Sequence, residues 1–196
     1  MKLVLASKNP HKLTEMQAIL CELGIEVVLE SDVGVNVEVE ETGATFAENA
    51  YLKARAVMEA TGLPAIADDS GLCVDALNGA PGIYSARYGG GELDDEGRYR
   101  LLLENMRGQL DRRCHFTSAI CCCFPDGGRV EAQGECSGTL AYAPQGENGF
   151  GYDPIFFIPE KKRTFAQLTP EEKNAISHRG RALRNFKIEL EKYFNG

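Results

Sequence analysis

The segment Ala65–Leu77 most constrains the fold, because two adjacent acids interrupt its apolar residues. Asp68 and Asp69 follow a short apolar run, and a second strand-like run closes the segment. This order predicts a strand, a tight bend at the acids, and a second strand. No Lys or Arg lies between Arg55 and Arg87. Nothing near the two acids in the sequence therefore neutralises them.

The two acids have a functional and a plain structural interpretation. Unpaired carboxylates beside a buried run indicate a divalent-cation site or a catalytic pair. An ordinary acidic hairpin turn is the alternative. Side chains alternate along an extended strand, so Asp68 and Asp69 have different roles unless the strand has already ended there.

Composition limits the classes of protein that remain. With 196 residues, 43% of them hydrophobic and 26% charged, the chain is long enough for one compact globular unit. No apolar run reaches the roughly 20 residues of a membrane span, and the first residues become polar too early for a signal peptide. We therefore expect a cytoplasmic protein without membrane contact. The net charge of -8 argues against binding of nucleic acid.

The seven cysteines do not indicate zinc or disulfides. Their number is odd, no two have CxxC spacing, and Cys121–Cys123 are consecutive within an apolar run. This pattern predicts reduced, buried side chains.

The first 24 residues predict a strand, a polar loop and a helix. Residues 2–6 are predicted as a buried strand, and Asn9 and Pro10 are predicted as the N-cap and first position of a helix that ends at Gly24. Phosphate binds readily at such a helix N-terminus, where Lys12 adds a positive charge. A surface loop with a solvated lysine is the alternative.

The rest of the chain alternates helices and strands. A strand is predicted at Glu26–Leu29, a helix at residues 45–61 with a Thr45/Glu48 capping box, and a hairpin pairing residues 115–124 with 129–142. Asn49 and Lys53 lie one helical turn apart. Further helices are predicted around residues 99–106 and after Thr169, and the predicted core face of the last region is Ile176, Leu183, Phe186, Leu190 and Phe194.

Two polar groups near the end of the chain are candidates for ligand binding. Residues 144–154 form a Gly- and Pro-rich loop that carries Phe150, Tyr152 and Asp153. Aromatic residues in such a loop either cover a core or stack on a base. Lys173, His178 and Arg179 form either a solvated helix face or the second half of an anion site.

Taken together, these motifs resemble the inosine triphosphate pyrophosphatase family, which acts on noncanonical purine nucleoside triphosphates. The resemblance covers almost the whole chain. It is carried by Ser7-x-Asn9-x-x-Lys12, Glu41-Thr42-Gly43, Phe46-x-Glu48-Asn49-Ala50-x-x-Lys53-Ala54, Ala67-Asp68-Asp69-Ser70-Gly71-Leu72, Asp75–Gly79, Pro81–Arg87, Phe150-Gly151-Tyr152-Asp153-Pro154 and Ser177-His178-Arg179.

The resemblance implies a fold and an activity. The fold would be an elongated, two-lobed α/β protein with a long mixed twisted sheet, flanking helices and a central substrate cleft, formed by residues 1–196 as a single domain. The activity would be Mg2+-dependent hydrolysis of ITP, dITP and XTP to the monophosphate and pyrophosphate, which cleanses the nucleotide pool. Members similar to this chain act as homodimers.

The resemblance also implies a role for each site residue. Asp69 would be the catalytic base, with Asp68 sharing its work, and Glu40 and Asp69 would bind the metal, with Glu41 as the alternative to Glu40. Binding of the phosphates would fall to Ser7, Lys8, Asn9, Pro10, His11, Lys12, Lys53, Ser70 and Lys173. Binding of the base would fall to Phe150, Gly151, Tyr152, Asp153, His178 and Arg179.

Other functions remain open at this point. A Maf-like pyrophosphatase would act on modified pyrimidine or other nucleotides instead, and a nucleotide sensor would bind without catalysis. A poised base such as Asp69 argues against a sensor. A two-carboxylate glycosidase is disfavoured, since neighbouring acids on one strand cannot flank a sugar bond at the required separation.

Overall fold

The computed structural model describes residues 1–195 as an α/β protein with a single mixed sheet. The described residues form seven strands in the order β2-β1-β3-β4-β5-β6-β7. Strand β1 is parallel to β2 and β3, whereas β6 is antiparallel to β5 and β7. The strands are β1 Lys2–Leu5, β2 Glu26–Leu29, β3 Ala65–Val74, β4 Arg113–Cys123, β5 Arg129–Leu140, β6 Phe156–Ile158 and β7 Arg163–Thr164. The helices are α1 Pro10–Leu20, α2 Phe46–Thr61, α3 Asp95–Asn105, α4 Pro170–Ile176 and α5 His178–Asn195. The predicted α/β class with a mixed sheet and flanking helices is confirmed.

Contacts within the chain group the residues into two compact units, each built from separate segments. Unit 1 contains Met1–Asp69, Ser118–Gly134 and the described residues from His178 onward. Unit 2 contains Ser70–Thr117 and Glu135–Ser177. The single-domain organisation stays a prediction.

Unit 1 has a core on each face of its strands, because strand side chains alternate between faces. On one face, Leu3 and Leu5 of β1 pack with residues of α1 and α5, including Met16 and Phe186. On the other face, Val4 packs with α2, whose buried residues there are Ala50, Ala54 and Val57. The three consecutive cysteines follow the same alternation, with Cys122 in the first core and Cys121 and Cys123 in the second. All three are buried, as predicted.

Unit 2 has an aromatic core. The rings of Phe116 and Phe156 lie 4.7 Å apart, and Phe165 lies 4.7 Å from Phe156. Leu102 of α3 and Met106, which directly follows α3, also belong to this core. The loop at residues 144–154 contributes the buried side chain of Tyr152 to this core, and Ile155, the residue after the loop, belongs to the core as well.

Most helix caps and helix ends predicted from local sequence signals are present in the structure. The Asn9 side chain accepts a hydrogen bond from the His11 amide, and the Thr45 side chain accepts one from the Glu48 amide. Helix α2 ends where Gly62 adopts a left-handed conformation with φ of 66°, a geometry that glycine enters without steric cost. The caps predicted at Asn9, Thr45 and Thr169 are confirmed.

Two local predictions are wrong. No bend occurs at Asp68 and Asp69, because β3 runs without interruption from Ala65 to Val74. Distant cations neutralise both acids, as described below, so the strand can continue through them. Phe194 is not part of the core but is 57% exposed. Tyr193, the residue before it, packs against the core instead and stacks on Phe124.

Within residues 1–195, no helix is both long enough and apolar enough to cross a membrane.

Candidate active site

Asp68 lies buried in unit 1 and is surrounded by hydrogen-bond donors. The Ser118 hydroxyl donates to its Oδ1 at 2.5 Å. Arg179 donates to its Oδ2 from Nη2 at 2.8 Å and from Nε at 3.2 Å. The Lys12 ammonium lies 3.0 Å from the same Oδ2. The carboxylate therefore has two cationic partners that come from α1 and from the start of α5.

These partners keep Asp68 ionised. Burial alone would raise the pKa of Asp68, because it penalises the charged form. The positive charges of Arg179 and Lys12 and the Ser118 hydrogen bond outweigh burial and hold the pKa of Asp68 well below its usual range. Asp68 is thus a fixed negative charge at neutral pH.

Arg179 is held between two acids. Its side chain is 2% exposed, and Nη1 donates to Glu15 of α1 while Nη2 and Nε donate to Asp68. Burial would lower the pKa of Arg179, but Asp68 and Glu15 raise it above its usual value. The structure thus places Arg179 on Asp68. Its predicted contact with a purine base stays a prediction, as does that of the neighbouring buried His178.

Asp69 lies in a second group, formed by Lys53, Asn49 and Glu41. The Lys53 ammonium lies 2.7 Å from Asp69 Oδ1 and 2.8 Å from Glu41 Oε1. The side-chain amide of Asn49 donates from Nδ2 to Asp69 Oδ2 at 3.4 Å. Asn49 and Lys53 lie one turn apart on α2, so the helical repeat brings both side chains to one carboxylate.

The two adjacent acids have pKa values that are shifted in opposite directions. Burial raises the pKa of Asp69, and this effect outweighs the opposing charge of Lys53. The pKa of Asp68 is lowered. A pair of acids whose surroundings separate their pKa values in this way is typical of a proton acceptor beside a fixed charge. Because β3 continues through both residues, the two carboxylates meet different partners.

Lys12 and Lys53 converge on a single backbone atom. Their ammonium groups donate to the Asp68 carbonyl oxygen at 3.1 and 3.2 Å respectively. Burial lowers the pKa of Lys12, partly offset by Asp68. For Lys53, burial is outweighed by Asp69 and Glu41, and the pKa is raised. Two cations from two helices therefore stand beside the acids of β3.

A cavity of about 380 Å³ in unit 1 lies beside these groups. Its lining includes Ser7 and Lys8 from the loop before α1, and Lys53 from α2. In that loop, the Ser7 hydroxyl accepts a hydrogen bond from the Asn9 amide at 3.1 Å. Pro10 and His11 are exposed at the first turn of α1. Two acids, Glu30 and Glu38, also line the cavity, and the Lys8 ammonium lies 3.9 Å from Glu38 Oε1. The lining is therefore mixed in charge, with the donors on the side of the loop before α1.

The donor set also suits a hard divalent cation. Glu41 Oε1 and Asp69 Oδ1 converge on one point, since both lie within 2.8 Å of the same ammonium. Glu40 is exposed, and its neighbour Glu41 is the acid that reaches this point. Residues 1–195 contain no cluster of three or more His, Cys, Asp or Glu that could hold a metal. Two carboxylates completed by phosphate oxygens and water are the usual set for Mg2+, so the residues fit.

Unit 2 brings together another group of predicted site residues. The Lys173 ammonium is buried 2.7 Å from Asp153 Oδ2 and 4.7 Å from the centre of the Phe150 ring. Asp153 Oδ2 also accepts a hydrogen bond from the Phe150 amide at 3.0 Å. A Cβ at Gly149 would collide with this carboxylate. The Lys173 ammonium therefore lies between Asp153 and the Phe150 ring within unit 2, and its predicted contact with the phosphates stays a prediction. Ser70, the first residue of unit 2, is half-buried on β3.

The sequence did not reveal several partners of these residues. Glu15 binds Arg179, Ser118 binds Asp68, and Asp95 accepts a hydrogen bond from the Gly151 amide at 2.8 Å. Glu15 lies three residues after Lys12, so both project from one side of α1, and this spacing is a signal that could have identified it. Ser118 lies in an apolar strand, and Asp95 lies in an acidic first turn of a helix. Neither stands out from its surroundings in the sequence.

Comparisons with known proteins place this chain in a family. The sequence profile of the Ham1 family matches residues 3–189. A protein of Exiguobacterium named dITP/XTP pyrophosphatase is 46% identical over 196 residues, which is 100% of both chains. One of Streptomyces coelicolor with the same name is 52% identical over 187 residues, covering 93% of this chain and 94% of its own. The structure of a HAM1 protein from Coxiella burnetii matches with a TM-score of 0.89 and 44% identity, over 98% of this chain and 99% of that one.

The relatives' names describe nucleotide hydrolysis, a chemistry that is consistent with a divalent metal. The family profile covers most of the chain, and the relatives match it over nearly their whole length. The family that the sequence motifs indicate is thereby confirmed, and this chain is a member of the Ham1 family.

Proposed function

We propose that this protein hydrolyses noncanonical purine nucleoside triphosphates, namely ITP, dITP and XTP, to the monophosphate and pyrophosphate. It would thereby remove deaminated purines from the nucleotide pool. The substrate class is supported by the names of its relatives. The proposal rests on one observation: Lys12 and Lys53 stand together beside Asp69, an acid with a raised pKa.

The charge of the substrate explains the need for these lysines. A nucleoside triphosphate carries about four negative charges, so attack at phosphorus requires neutralisation and alignment more than covalent help. Lys12 and Lys53 supply two positive charges, and Ser7, Lys8 and the amides before α1 supply further donors. The phosphate chain would bind among these groups, and one helix N-terminus would face it.

Asp69 is the residue we assign as general base. Burial raises its pKa, which makes its carboxylate a better proton acceptor than an ordinary aspartate. It would take a proton from the water that attacks the α-phosphorus. Asp68, fixed by Arg179, Lys12 and Ser118, would keep its charge and hold both lysines in place.

We propose Mg2+ as the cofactor, held by Asp69 and Glu41. Both carboxylates already share a cationic partner in Lys53. We therefore propose Glu41, the alternative ligand of the sequence analysis, in place of Glu40. The ion would supply charge neutralisation at the phosphate oxygens and lower the pKa of a bound water. Lys53 and the acids orient the groups around it.

Base recognition is assigned to the loop of unit 2. The Phe150 ring would stack on the purine, while Lys173 and Asp153 contact its polar edge, with His178 and Arg179 as further candidates. A donor such as Lys173 can meet the 6-oxo group of hypoxanthine or xanthine. Adenine presents an amino group at that position, and the resulting donor–donor mismatch in a buried site is strongly rejected.

A nucleotide panel tests the proposal. Purified protein is incubated with ITP, dITP, XTP, GTP, ATP, dTTP and UTP, with Mg2+ or with EDTA, and the products are separated. The proposal predicts monophosphate and pyrophosphate from the first three substrates only, and only with Mg2+. Preference for a pyrimidine substrate would instead favour a Maf-like pyrophosphatase. Nucleotide binding without products would favour a sensor.

We further propose that the protein acts in the cytoplasm, where free nucleotides are found, and that it forms a homodimer. The acidic net charge of -8 suits a protein that binds small nucleotides rather than nucleic acid. Light scattering after size-exclusion chromatography would give twice the 21.4 kDa mass of one chain for a dimer.

A further inference from the structure

The loop that carries Phe150 is held by two carboxylates on consecutive backbone amides. The Phe150 amide donates to Asp153 within the loop at 3.0 Å. The next amide, Gly151 N, donates to Asp95 Oδ2 at 2.8 Å. Asp95 lies 56 residues away in sequence, at the start of α3. The loop is therefore anchored to a helix by a residue outside every motif that the sequence singled out.

The Asp95 carboxylate is itself fixed in orientation. Arg98 lies one turn further along α3, and its Nη1 donates to Asp95 Oδ1 at 3.2 Å. This leaves Oδ2 for the loop. The next residue in the loop is also anchored, because the Tyr152 hydroxyl donates to the Ser85 carbonyl at 2.8 Å. Gly151 is thus held between an anchored carboxylate and an anchored aromatic residue.

The anchor is needed because the glycines of the loop give its backbone a large conformational freedom. Gly146, Gly149 and Gly151 all have positive φ, and glycine loses more conformational freedom on ordering than any other residue. If the loop is already ordered before the purine binds, less conformational entropy is lost on binding. The affinity of the protein for the purine is then higher.

We propose that Asp95 is a positioning residue for base recognition: its hydrogen bond to Gly151 holds the Phe150 ring where a purine can stack on it. This inference rests on the proposed function, because it takes Phe150 as the base platform. Asp95 acts through the loop and makes no contact with the reacting phosphate.

The test compares Asp95→Ala with Glu96→Ala. Both variants remove one acid from the first turn of α3, but Glu96 pairs with Arg100 at the surface, where the Glu96 side chain is 56% exposed. We expect Asp95→Ala to lower kcat/KM for ITP about tenfold, through KM rather than kcat, since a hydrogen bond to a charged group is lost. Glu96→Ala should match the wild type. Asp95→Asn, which keeps an acceptor oxygen, should recover most of the loss.

Hydrogen exchange gives a second measurement that does not depend on turnover. The Gly151 amide should exchange faster in Asp95→Ala than in Glu96→Ala, while amides of β3 keep their protection. Equal KM values for the two alanine variants would overturn the inference, and so would a loss confined to kcat. If the wild type releases no pyrophosphate from any purine triphosphate, the proposed function fails. In that case the anchor can still be tested by itself. If the Gly151 amide exchanges at the same rate in Asp95→Ala as in Glu96→Ala, Asp95 does not hold the loop.

Discussion

Replacing Arg179 by methionine removes the central cation of the buried charge network in unit 1. Arg179 is 1% exposed, and it donates to Asp68, which is also 1% exposed, and to Glu15. Methionine fills much of the same volume but leaves two carboxylates without their shared partner. The variant therefore isolates the cost of burying those charges.

The geometry sets the expected size of the effect. Removing one partner of a buried ion pair costs about 3–5 kcal/mol. Here Lys12 remains 3.0 Å from Asp68, and the Glu15 side chain is 14% exposed and partly hydrated. Both features reduce the penalty, so we expect a loss near the lower limit, about 3 kcal/mol at neutral pH.

The loss should depend on pH with a defined sign. In the wild type the pKa of Asp68 is lowered, so its contribution is present above the unfolded value of about 3.9 and is lost only as the pH falls through the folded pKa. In the variant, burial of Asp68 persists without Arg179, so its folded pKa rises. Protonation then relieves the penalty in acid. The difference in unfolding free energy between wild type and variant should therefore shrink as the pH falls from neutral to about 4, near the unfolded pKa of an aspartate.

Urea unfolding followed by circular dichroism, in EDTA buffer to exclude metal binding, measures both quantities. Arg55→Met is the matched control, because Arg55 pairs with Glu59 on the exposed face of α2 and should lose little stability. An Arg179→Met variant as stable as this control would refute the assignment of a buried network. A stability difference that stays constant between the two pH values would refute the assigned charge state of Asp68.

Three further changes test other parts of the account. Lys53→Met should lower kcat/KM for ITP by about 10²–10³, as expected when one positioned charge donor is lost; a tenfold or smaller loss would contradict its role. Phe150→Ala should raise KM for ITP about tenfold or more, because base stacking contributes about 1–3 kcal/mol, and inorganic triphosphate cleavage, if measurable, should not change. Gly134→Ala should destabilise the protein by about 1–3 kcal/mol, because the added Cβ would collide with backbone atoms of His178 and Ala182. Thermal unfolding checks this against Gly91→Ala, where the same carbon meets open space.

Local sequence signals predicted the elements well because their causes are local. Asn9 and Thr45 cap helices through hydrogen bonds to amides two or three residues away. The alternation of Leu3, Val4 and Leu5 between two cores follows from strand geometry alone. These elements need no knowledge of the rest of the fold.

The bend predicted at Asp68 and Asp69 shows where local signals fail. Acidic residues followed by Ser and Gly favour a turn in isolation. In the structure, Arg179, Lys12 and Lys53 neutralise both acids, so β3 continues. From the lack of any nearby Lys or Arg, the sequence predicted a divalent cation or a catalytic role for the acids, and it did not predict their ion pairs with distant side chains. Which cations they are depends on packing between segments up to 111 residues apart, and no local pattern encodes that.

Other site residues were hidden for the same reason. For Lys173, the family resemblance implied a contact with the phosphates, which stays a prediction. The position of Lys173 beside Phe150 depends on how α4 packs in unit 2. Asp95 and Ser118 gave no sequence signal, since their roles come entirely from what lies opposite them.

The central claim is that Asp69 accepts the proton from the attacking water, and turnover by Asp69→Asn tests it most directly. Asp126→Asn, at an exposed turn of unit 1, serves as the control. With ITP and Mg2+, the account predicts that Asp69→Asn releases no measurable pyrophosphate while it still binds ITP by calorimetry, and that Asp126→Asn matches the wild type. Pyrophosphate release by Asp69→Asn at the wild-type rate would contradict the account.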